Sequence, residues 1–326
     1  MTAYIDALRS SVDARAIRDA SLRVIVDPLF GAGRSYLVGL LREFGVEALE
    51  VNGADDPSFC GLHPEPILPW VRVGAEKVVE LGYDACFVTD GDADRIGAVD
   101  GTGAYVSSHR LLALLIGHLV EGHGRRGRVI RTRAGSNLLR RQCDRLDLSL
   151  LTCPIGFKWI YAEMLAGDVL IGGEESGGMG IPSHVRERDG LLMALLLVEL
   201  MALKGKKLHQ LVDELLTVLG LLEYNRCDLR LDPALKDRFL ATHVNGAGVS
   251  FEQYRELFAA LDEKLVEVER GDGIKFSCAS DAWLLVRPSG TEPLVRVYAE
   301  AGSNEQVESL IALGCDMALM NIELPE

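Results

Sequence analysis

Thr89-Asp90-Gly91-Asp92-Ala93-Asp94-Arg95 sets three carboxylates at alternate positions, directly after the apolar run Ala85-Cys86-Phe87-Val88. A flat strand would hold the outer two acids roughly 13 Å apart, at about 3.3 Å per residue, too far for one ion. On a helix, residues two apart do not face each other. Only a curled loop brings all three together, and Gly91 and Ala93 resist curling least. Converged carboxylates repel one another unless a cation lies between them, and an all-oxygen set suits a hard divalent ion such as Mg2+. A solvated acidic turn is the competing reading. A calcium hand needs Gly at its sixth position and Glu at its twelfth; counted from Asp90, those places hold Arg95 and Gly101, which excludes it. A haloacid-type phosphatase needs Asp-x-Asp-Gly-Thr, and Asp100-Gly101-Thr102 is preceded by Ala98 where the first Asp belongs.

Three further stretches could bind a polar ligand. Arg287-Pro288-Ser289-Gly290-Thr291 offers two hydroxyls and a glycine that lets successive N–H groups turn toward one anion. Arg287 can clasp two phosphate oxygens, and Arg296 on the next strand adds a second charge. Gly173-Glu174-Glu175-Ser176-Gly177-Gly178 puts two acids and a hydroxyl on a flexible loop, as acceptors for sugar hydroxyls. Gly156-Phe157-Lys158 sets a cation at a helix start, and His184, Arg188 and Asp189 lie just beyond the Glu loop. Each of these also reads as an ordinary surface turn or solvated side chain, and His184 reads as structural. No cysteine has the neighbourhood of a reactive thiol.

The elements that position these loops alternate. Arg23–Asp27 reads as a buried strand, followed by Pro28-Leu29-Phe30-Gly31-Ala32-Gly33, a helix to Phe44 and a strand from Val46 to Val51. A dinucleotide site fails there, because Tyr36 stands where the third glycine belongs, so the turn is read as structural. A helix from Trp70 to Gly82 precedes the strand that delivers Asp90. A second α/β unit begins near Ala104, with helices His109–Val120, to Arg145, from Lys158, Asp189–Leu203 and Leu208–Leu219. Its strands are Arg128–Arg131, Leu148–Thr152 and Asp168–Gly173. Beyond a hinge near Gly220 to Tyr224 the pattern becomes α+β: a strand at Arg226–Leu231, a helix at Phe251–Leu261, a hairpin turn at Gly271-Asp272-Gly273, and strands at Trp283–Val286 and Leu294–Glu300. The expected fold class is therefore α/β, two tandem α/β domains (1–103 and 104–222) followed by a smaller α+β domain (223–326), with ligands at the C-terminal strand ends.

A chain of 326 residues can bury two or three separate cores. Its net charge of −14 argues against a nucleic-acid surface and requires that any anionic ligand be held by local basic residues. Seven cysteines without a Cys-x-x-Cys pair, and no signal-like start, predict reduced thiols and a cytoplasmic location. The longest apolar stretch, Leu191 to Leu203, is interrupted by Glu199 and is too short to cross a bilayer, so no membrane partner is expected.

In order and spacing, Thr-Asp-Gly-Asp-Ala-Asp-Arg (89–95), Gly-Phe-Lys (156–158), Gly-Glu-Glu-Ser-Gly-Gly (173–178) and Arg-Pro-Ser-Gly-Thr-Glu-Pro (287–293) resemble the α-D-phosphohexomutase superfamily, which includes phosphoglucomutases and phosphomannomutases. Pro64-Glu65-Pro66 and Glu187-Arg188-Asp189-Gly190 extend the resemblance over practically the whole chain. It implies four domains around a central cleft, this chain supplying the second, third and fourth. It also implies an isomerase that interconverts hexose 1-phosphate and hexose 6-phosphate through a hexose 1,6-bisphosphate intermediate, which also serves as activator. By this resemblance Asp90, Asp92 and Asp94 hold Mg2+, and of the catalytic pair Arg95 lies beside the reacting phosphate while Lys158 contacts the phosphosugar. Glu174, Ser176 and Arg188 bind the sugar, while Arg287, Ser289, Gly290, Thr291 and Arg296 anchor the phosphate that is not transferred. The Glu-Glu-Ser-Gly-Gly form of the sugar loop looks closer to the glucose type than to the glucosamine type.

The sequence departs from the family at one point. The family's phosphorylated serine lies in a first-domain loop reading roughly Thr-x-Ser-His-Asn-Pro, whereas Ser108-His109 and Ser183-His184 are followed by Arg110 and Val185. The expectation is a mutase whose first domain is encoded upstream, lies on a separate partner chain or is lost to incomplete gene calling, with the metal bound more loosely here than in a complete enzyme. A non-catalytic phosphosugar-binding or regulatory homologue is the alternative, and a sugar phosphatase ranks last.

Overall fold

The computed structural model describes residues 2–246, 248–290 and 292–320. The chain divides into two compact units, Met1–Gly220 and Leu221–Glu326.

The first unit holds two sheets of the same plan. It opens with helices α1 (Thr2–Ser10) and α2 (Ala14–Asp19), then β1 (Arg23–Asp27), α3 (Tyr36–Glu43), β2 (Glu47–Glu50), α4 (Arg72–Leu81), β3 (Ala85–Thr89), β4 (Ile96–Asp100) and β5 (Tyr105–Val106). These strands form one sheet in the order β2-β1-β3-β4-β5. β1 runs parallel to β2 and β3, whereas β3, β4 and β5 form antiparallel pairs. All five residues of β3 and of β4 are buried, which is why they read as continuous apolar runs rather than alternating ones.

α5 (Ser108–Glu121), β6 (Arg128–Thr132), α6 (Asn137–Leu146), β7 (Leu150–Cys153), α7 (Phe157–Ala166), β8 (Val169–Gly173), β9 (Met179–Gly180), α8 (Gly190–Lys204) and α9 (Leu208–Leu219) follow. The second sheet is ordered β7-β6-β8-β9, again three parallel strands, closed here by one antiparallel strand instead of two. α8 is apolar around nearly its whole circumference and buries every residue from Gly190 to Met201. A helix with no polar face must be packed on all sides, and α8 lies between both halves, against α2, β3 and β4 on one side and α5 on the other. It starts where Asp189 accepts the N–H of Leu192 and stops at Gly205, whose left-handed backbone closes the last turn.

The second unit comprises β10 (Glu223–Arg230), α10 (Pro233–Phe239), α11 (Phe251–Ala259), β11 (Leu265–Arg270), β12 (Ile274–Cys278), β13 (Trp283–Pro288), β14 (Leu294–Ala301) and α12 (Asn304–Leu319). Its sheet, β10-β14-β13-β12-β11, is antiparallel throughout. α12 lies across β14, β13 and β10, and Phe239, Tyr254, Phe258 and Phe276 fill the core with Val297 and Leu310. No helix among the described residues is long and apolar enough to cross a membrane.

Candidate active site

The strand β3 ends at Thr89, and the chain curls at once. Ala93 takes a left-handed backbone and its N–H bonds the Asp90 carbonyl, closing the turn. One carboxylate oxygen from each of Asp90, Asp92 and Asp94 then lies within 4.8 Å of the others. Asp90 is buried, Asp94 half-buried and Asp92 exposed, so the cluster opens to solvent on the Asp92 side.

The loop is held from beneath by backbone packed too closely for side chains. The Ala32 N–H bonds the Gly91 carbonyl at 2.8 Å, and a Cβ on Gly31 would come within 2.6 Å of that same oxygen. The Gly190 N–H bonds the Ala93 carbonyl, and a Cβ there would meet the Arg95 carbonyl at 2.6 Å. Gly31, read from sequence as part of a structural turn, and Gly190, at the head of α8, thus form the seat of the acidic loop.

Burial pushes the Asp94 carboxyl up to about 6, with the neighbouring Asp90 adding to the effect and Arg188 opposing it. Burial also raises Asp90, against the hydrogen bonds and charge of Arg95. Arg95 donates from Nε to Asp90 Oδ2 at 2.5 Å and from Nη1 to Glu65 Oε1 at 3.2 Å. Glu65, in the Pro64-Glu65-Pro66 segment, had no role in the sequence reading; nothing local ties it to an arginine thirty positions away. Asp94 Oδ1 is buried and has no hydrogen-bond partner. An orphaned carboxylate oxygen among three converged acids fits a hard, oxygen-seeking divalent cation.

The Glu loop leaves β8 as the Asp loop leaves β3, and the two loops touch. Arg95 and Gly178 form an antiparallel bridge, and the Ile96 N–H bonds the Gly177 carbonyl at 3.0 Å. Glu174 is buried, and its carboxyl is pushed up to about 7 by burial and by Glu175, against the charge of Arg188 and an N–H bond from Gly156. That amide joins the Gly156-Phe157-Lys158 turn to the Glu loop. Glu175 points back into the fold, where its carboxylate accepts from Thr132 Oγ1 at 2.9 Å. Ser176 is half-buried beside it.

Arg188 spans the two acidic loops, with Nη2 at 2.5 Å from Asp94 Oδ2 and Nη1 at 3.7 Å from Glu174 Oε2. It passes directly over Gly178, where a Cβ would meet its Cδ at 2.4 Å. Behind it, Asp189 accepts from Tyr4 Oη at 3.0 Å and pairs with His184 Nε2 at 3.0 Å, so His184 braces the turn that presents Arg188. Lys158 is exposed, its ammonium 5.2 Å from the Trp159 ring centroid. Asp90, Asp92, Asp94, Arg95, Glu174 and Arg188 are thus brought together, and Lys158 remains outside their ion pairs.

The basic loop belongs to the second unit. Arg287 on β13 and Arg296 on β14 are direct cross-strand partners. Like charges facing one another across a ladder are unfavourable unless anions sit beside them. Here Asp272 accepts from Arg287 Nε at 2.9 Å, and Asp228 lies 3.7 Å from Arg296 Nε, which has no hydrogen-bond partner. Ser289 is buried, Gly290 is exposed with open space around a would-be Cβ, and Thr291 lies outside the described residues. Lys236 on α10, absent from the sequence reading, donates to the Ser289 carbonyl at 2.6 Å and the Glu292 carbonyl at 3.1 Å, fixing both ends of the turn.

Two α/β halves carrying adjoining acidic loops are thus followed by an antiparallel domain carrying a basic one. Residues 2–103, 107–219 and 249–313 match, respectively, domain II, domain III and the C-terminal domain of the phosphoglucomutase/phosphomannomutase family, and the chain belongs to the α-D-phosphohexomutase superfamily. It is 32% identical over 311 residues to a phosphoglucomutase/phosphomannomutase of Thermococcus kodakarensis, covering 95% of this chain and 64% of that protein. A probable phosphoglucosamine mutase of Methanosarcina barkeri is also 32% identical, over 89% of this chain and 61% of that one. The crystal structure of a putative phosphomannomutase from Thermus thermophilus superposes with a TM-score of 0.79 at 34% identity, over 95% of this chain and 64% of that one. The chain therefore spans less than two thirds of the length of these relatives.

Proposed function

We propose that this chain forms the metal-, sugar- and phosphate-binding parts of a phosphohexomutase, which interconverts hexose 1-phosphate and hexose 6-phosphate through a hexose 1,6-bisphosphate. The observation that carries the reading is the junction of the two acidic loops. A three-carboxylate cluster with an orphaned oxygen is joined through the Arg95–Gly178 bridge and Arg188 to a loop of sugar-hydroxyl acceptors. Asp90, Asp92 and Asp94 would hold Mg2+, which when bound supplies charge stabilisation to the phosphoryl group. Arg95, already anchored by Asp90 and Glu65, adds a fixed cation beside that group. Glu174 and Ser176 accept and donate to sugar hydroxyls, with Arg188 and Lys158 neutralising the phosphosugar. Arg287, Arg296, Ser289, Gly290 and Thr291 take the phosphate that is not being transferred, so that binding energy there positions the reacting end.

These residues bind and orient; the phosphoryl carrier must come from elsewhere. Ser108 is buried in the first turn of α5 with its hydroxyl donated to the Glu175 carbonyl, and Ser183 pairs with Arg125. Ser108 is thereby withheld as a nucleophile, and neither serine stands in a Thr-x-Ser-His-Asn-Pro loop; on this reading a phosphoserine would be supplied by sequence outside these residues, on the same polypeptide or a separate chain. The same observation supports the second reading, a phosphosugar-binding protein without turnover. Glucose 1-phosphate with glucose 1,6-bisphosphate and Mg2+ tests both. The 326 residues alone are expected to bind the bisphosphate without turnover, and to turn over once a family first domain phosphorylated on its serine is added. Turnover by the chain alone would overturn the need for an outside serine, and inactivity after addition would favour the binding protein.

A further inference from the structure

A second convergence of metal-ligating side chains lies within the first unit, built from residues that the proposed mutase chemistry does not use. His118 sits in the last turn of α5, His123 just beyond that helix, and Glu199 in the middle of α8. Glu199 is the single acid of an apolar helix and is 2% exposed. Its Oε1 accepts the backbone N–H of Asp13, in the turn between α1 and α2, at 2.6 Å. Its Oε2 lies 2.6 Å from His118 Nε2 and 2.7 Å from His123 Nε2. The two imidazoles stand edge to face, with centroids 4.9 Å apart and planes at 88°.

A buried carboxylate needs donors, and one imidazole on the free oxygen would satisfy it. Two imidazoles turning the same ring nitrogen onto one oxygen satisfy it as a hydrogen-bonded clamp, and the same three donor atoms can converge on a shared cation. One donor atom from each of the three side chains lies within 4.8 Å of the others. Ligand bonds of roughly 2.0–2.2 Å place tetrahedral donors about 3.3 Å apart. The two nitrogens therefore need to withdraw from the oxygen by only about 0.6 Å, a rotation of side chains rather than a rearrangement of helices. His123 is half-buried, which leaves an approach for the ion and a fourth position for water.

We infer that His118, His123 and Glu199 form a second metal site, selective for a borderline late first-row divalent cation of which Zn2+ is the type. Two nitrogens and one oxygen suit Zn2+, whereas Mg2+ prefers oxygen alone. Bound there, the ion ties the end of α5 to the centre of α8, and through the Asp13 amide to the α1–α2 turn.

Co2+ titrated into the full chain under a large excess of Mg2+ tests this, because Mg2+ occupies the all-carboxylate cluster and leaves the imidazole site open. One equivalent is expected to give the intense visible absorption of tetrahedral Co2+, bleached by Zn2+, with Tm raised by Zn2+. His123→Gln, chosen because it is the least buried ligand, is expected to abolish the band and weaken binding at least about 100-fold. Asp92→Asn is expected to retain the band. In the wild-type chain, where no variant can misfold, Zn2+ is expected to shift the 15N resonances of two imidazole Nε2 atoms. Absence of the visible band, a band that survives His123→Gln, or unmoved imidazole resonances would each overturn the site and leave a hydrogen-bonded clamp.

Discussion

In the first sheet, β3 runs into Asp90 and the chain turns back along β4; in the second, β8 runs into Glu174 and the chain turns back along β9. The topological corner is the same, and what differs is the spacing of the acids. At alternate positions on a tight turn, Asp90, Asp92 and Asp94 converge, and one oxygen is left without a hydrogen bond. At adjacent positions, Glu174 and Glu175 diverge. Glu174 turns toward Arg188 and the Gly156 amide, and Glu175 turns back to Thr132. One corner concentrates negative charge for a cation, and the other separates an acceptor for a ligand from an acceptor for the fold. The same secondary structure thus yields two chemistries, decided by one residue of offset.

The largest effect should come from breaking the seam between the corners. Gly177 has φ +95°, and a Cβ there would stand 2.3 Å from the Ile96 carbonyl oxygen. Gly177→Ala is expected to cost about 2–4 kcal/mol in urea denaturation, from backbone strain plus overpacking. Gly124, also at positive φ but with nothing within 4 Å of its would-be Cβ, isolates the strain, and Gly124→Ala should cost only about 1–2 kcal/mol. Equal losses at the two positions would show that close approach of the loops contributes nothing.

The next effect separates the acids by function. Asp92 is exposed, so Asp92→Asn should leave stability unchanged while weakening Mg2+ at least about 100-fold by calorimetry; Glu175→Gln should leave Mg2+ affinity unaltered. Mg2+ affinity should also fall as pH drops through about 6, because Asp94 must be ionised to serve as a ligand. Stability without metal runs the other way. The Asp94 carboxyl is raised from 3.8 to about 6, so its contribution is full below about 3.8 and is lost as pH rises through about 6. Asp94→Asn should therefore stabilise the metal-free chain at pH 8 while destroying its metal site. Destabilisation by that variant at pH 8 would show that the ion pair with Arg188 outweighs the burial of the charge.

How much of this was legible in the sequence follows from how local each signal is. The apolar run ending at Val88 marks β3 and its acidic turn, and Asp189 with Gly205 bounds α8 within a residue or so of the pattern. β4 carries no comparable mark, because Gly97 interrupts its short run. Yet Gly97 is there because a Cβ would meet the Pro66 carbonyl at 2.1 Å. α12 is obscured for a similar reason: Gly314 in mid-helix looks like a breaker, but a Cβ there would lie 2.5 Å from Val297 Cγ1. Glycines chosen for close approach carry no local mark that separates them from glycines chosen for turns. The four site loops could be named from local spacing, whereas Glu65 under Arg95 and Lys236 under Ser289 could not, since each acts only through a partner far along the chain. Glu199 was read only as a charge interrupting an apolar stretch; its imidazole partners lie 76 and 81 positions away.

The smallest expected effect tests the divergence of the two glutamates directly. Thr132 closes β6 and is fully buried, and its hydroxyl is the side-chain donor to Glu175 Oε2. Thr132→Val keeps the branched shape and removes only that donor. If Glu175 belongs to the fold, the variant should lose about 1–2 kcal/mol in urea denaturation, the cost of a hydrogen bond to a charged group with solvent near enough to replace part of it. Glu175 is half-buried, which keeps the loss toward the lower end. Bisphosphate affinity should change less than about twofold, because Glu174, the acceptor assigned to the sugar, is held separately by Gly156 and Arg188. A large loss of affinity with unchanged stability would reverse the assignment, making Glu175 the ligand's acceptor and Glu174 the one that serves the fold.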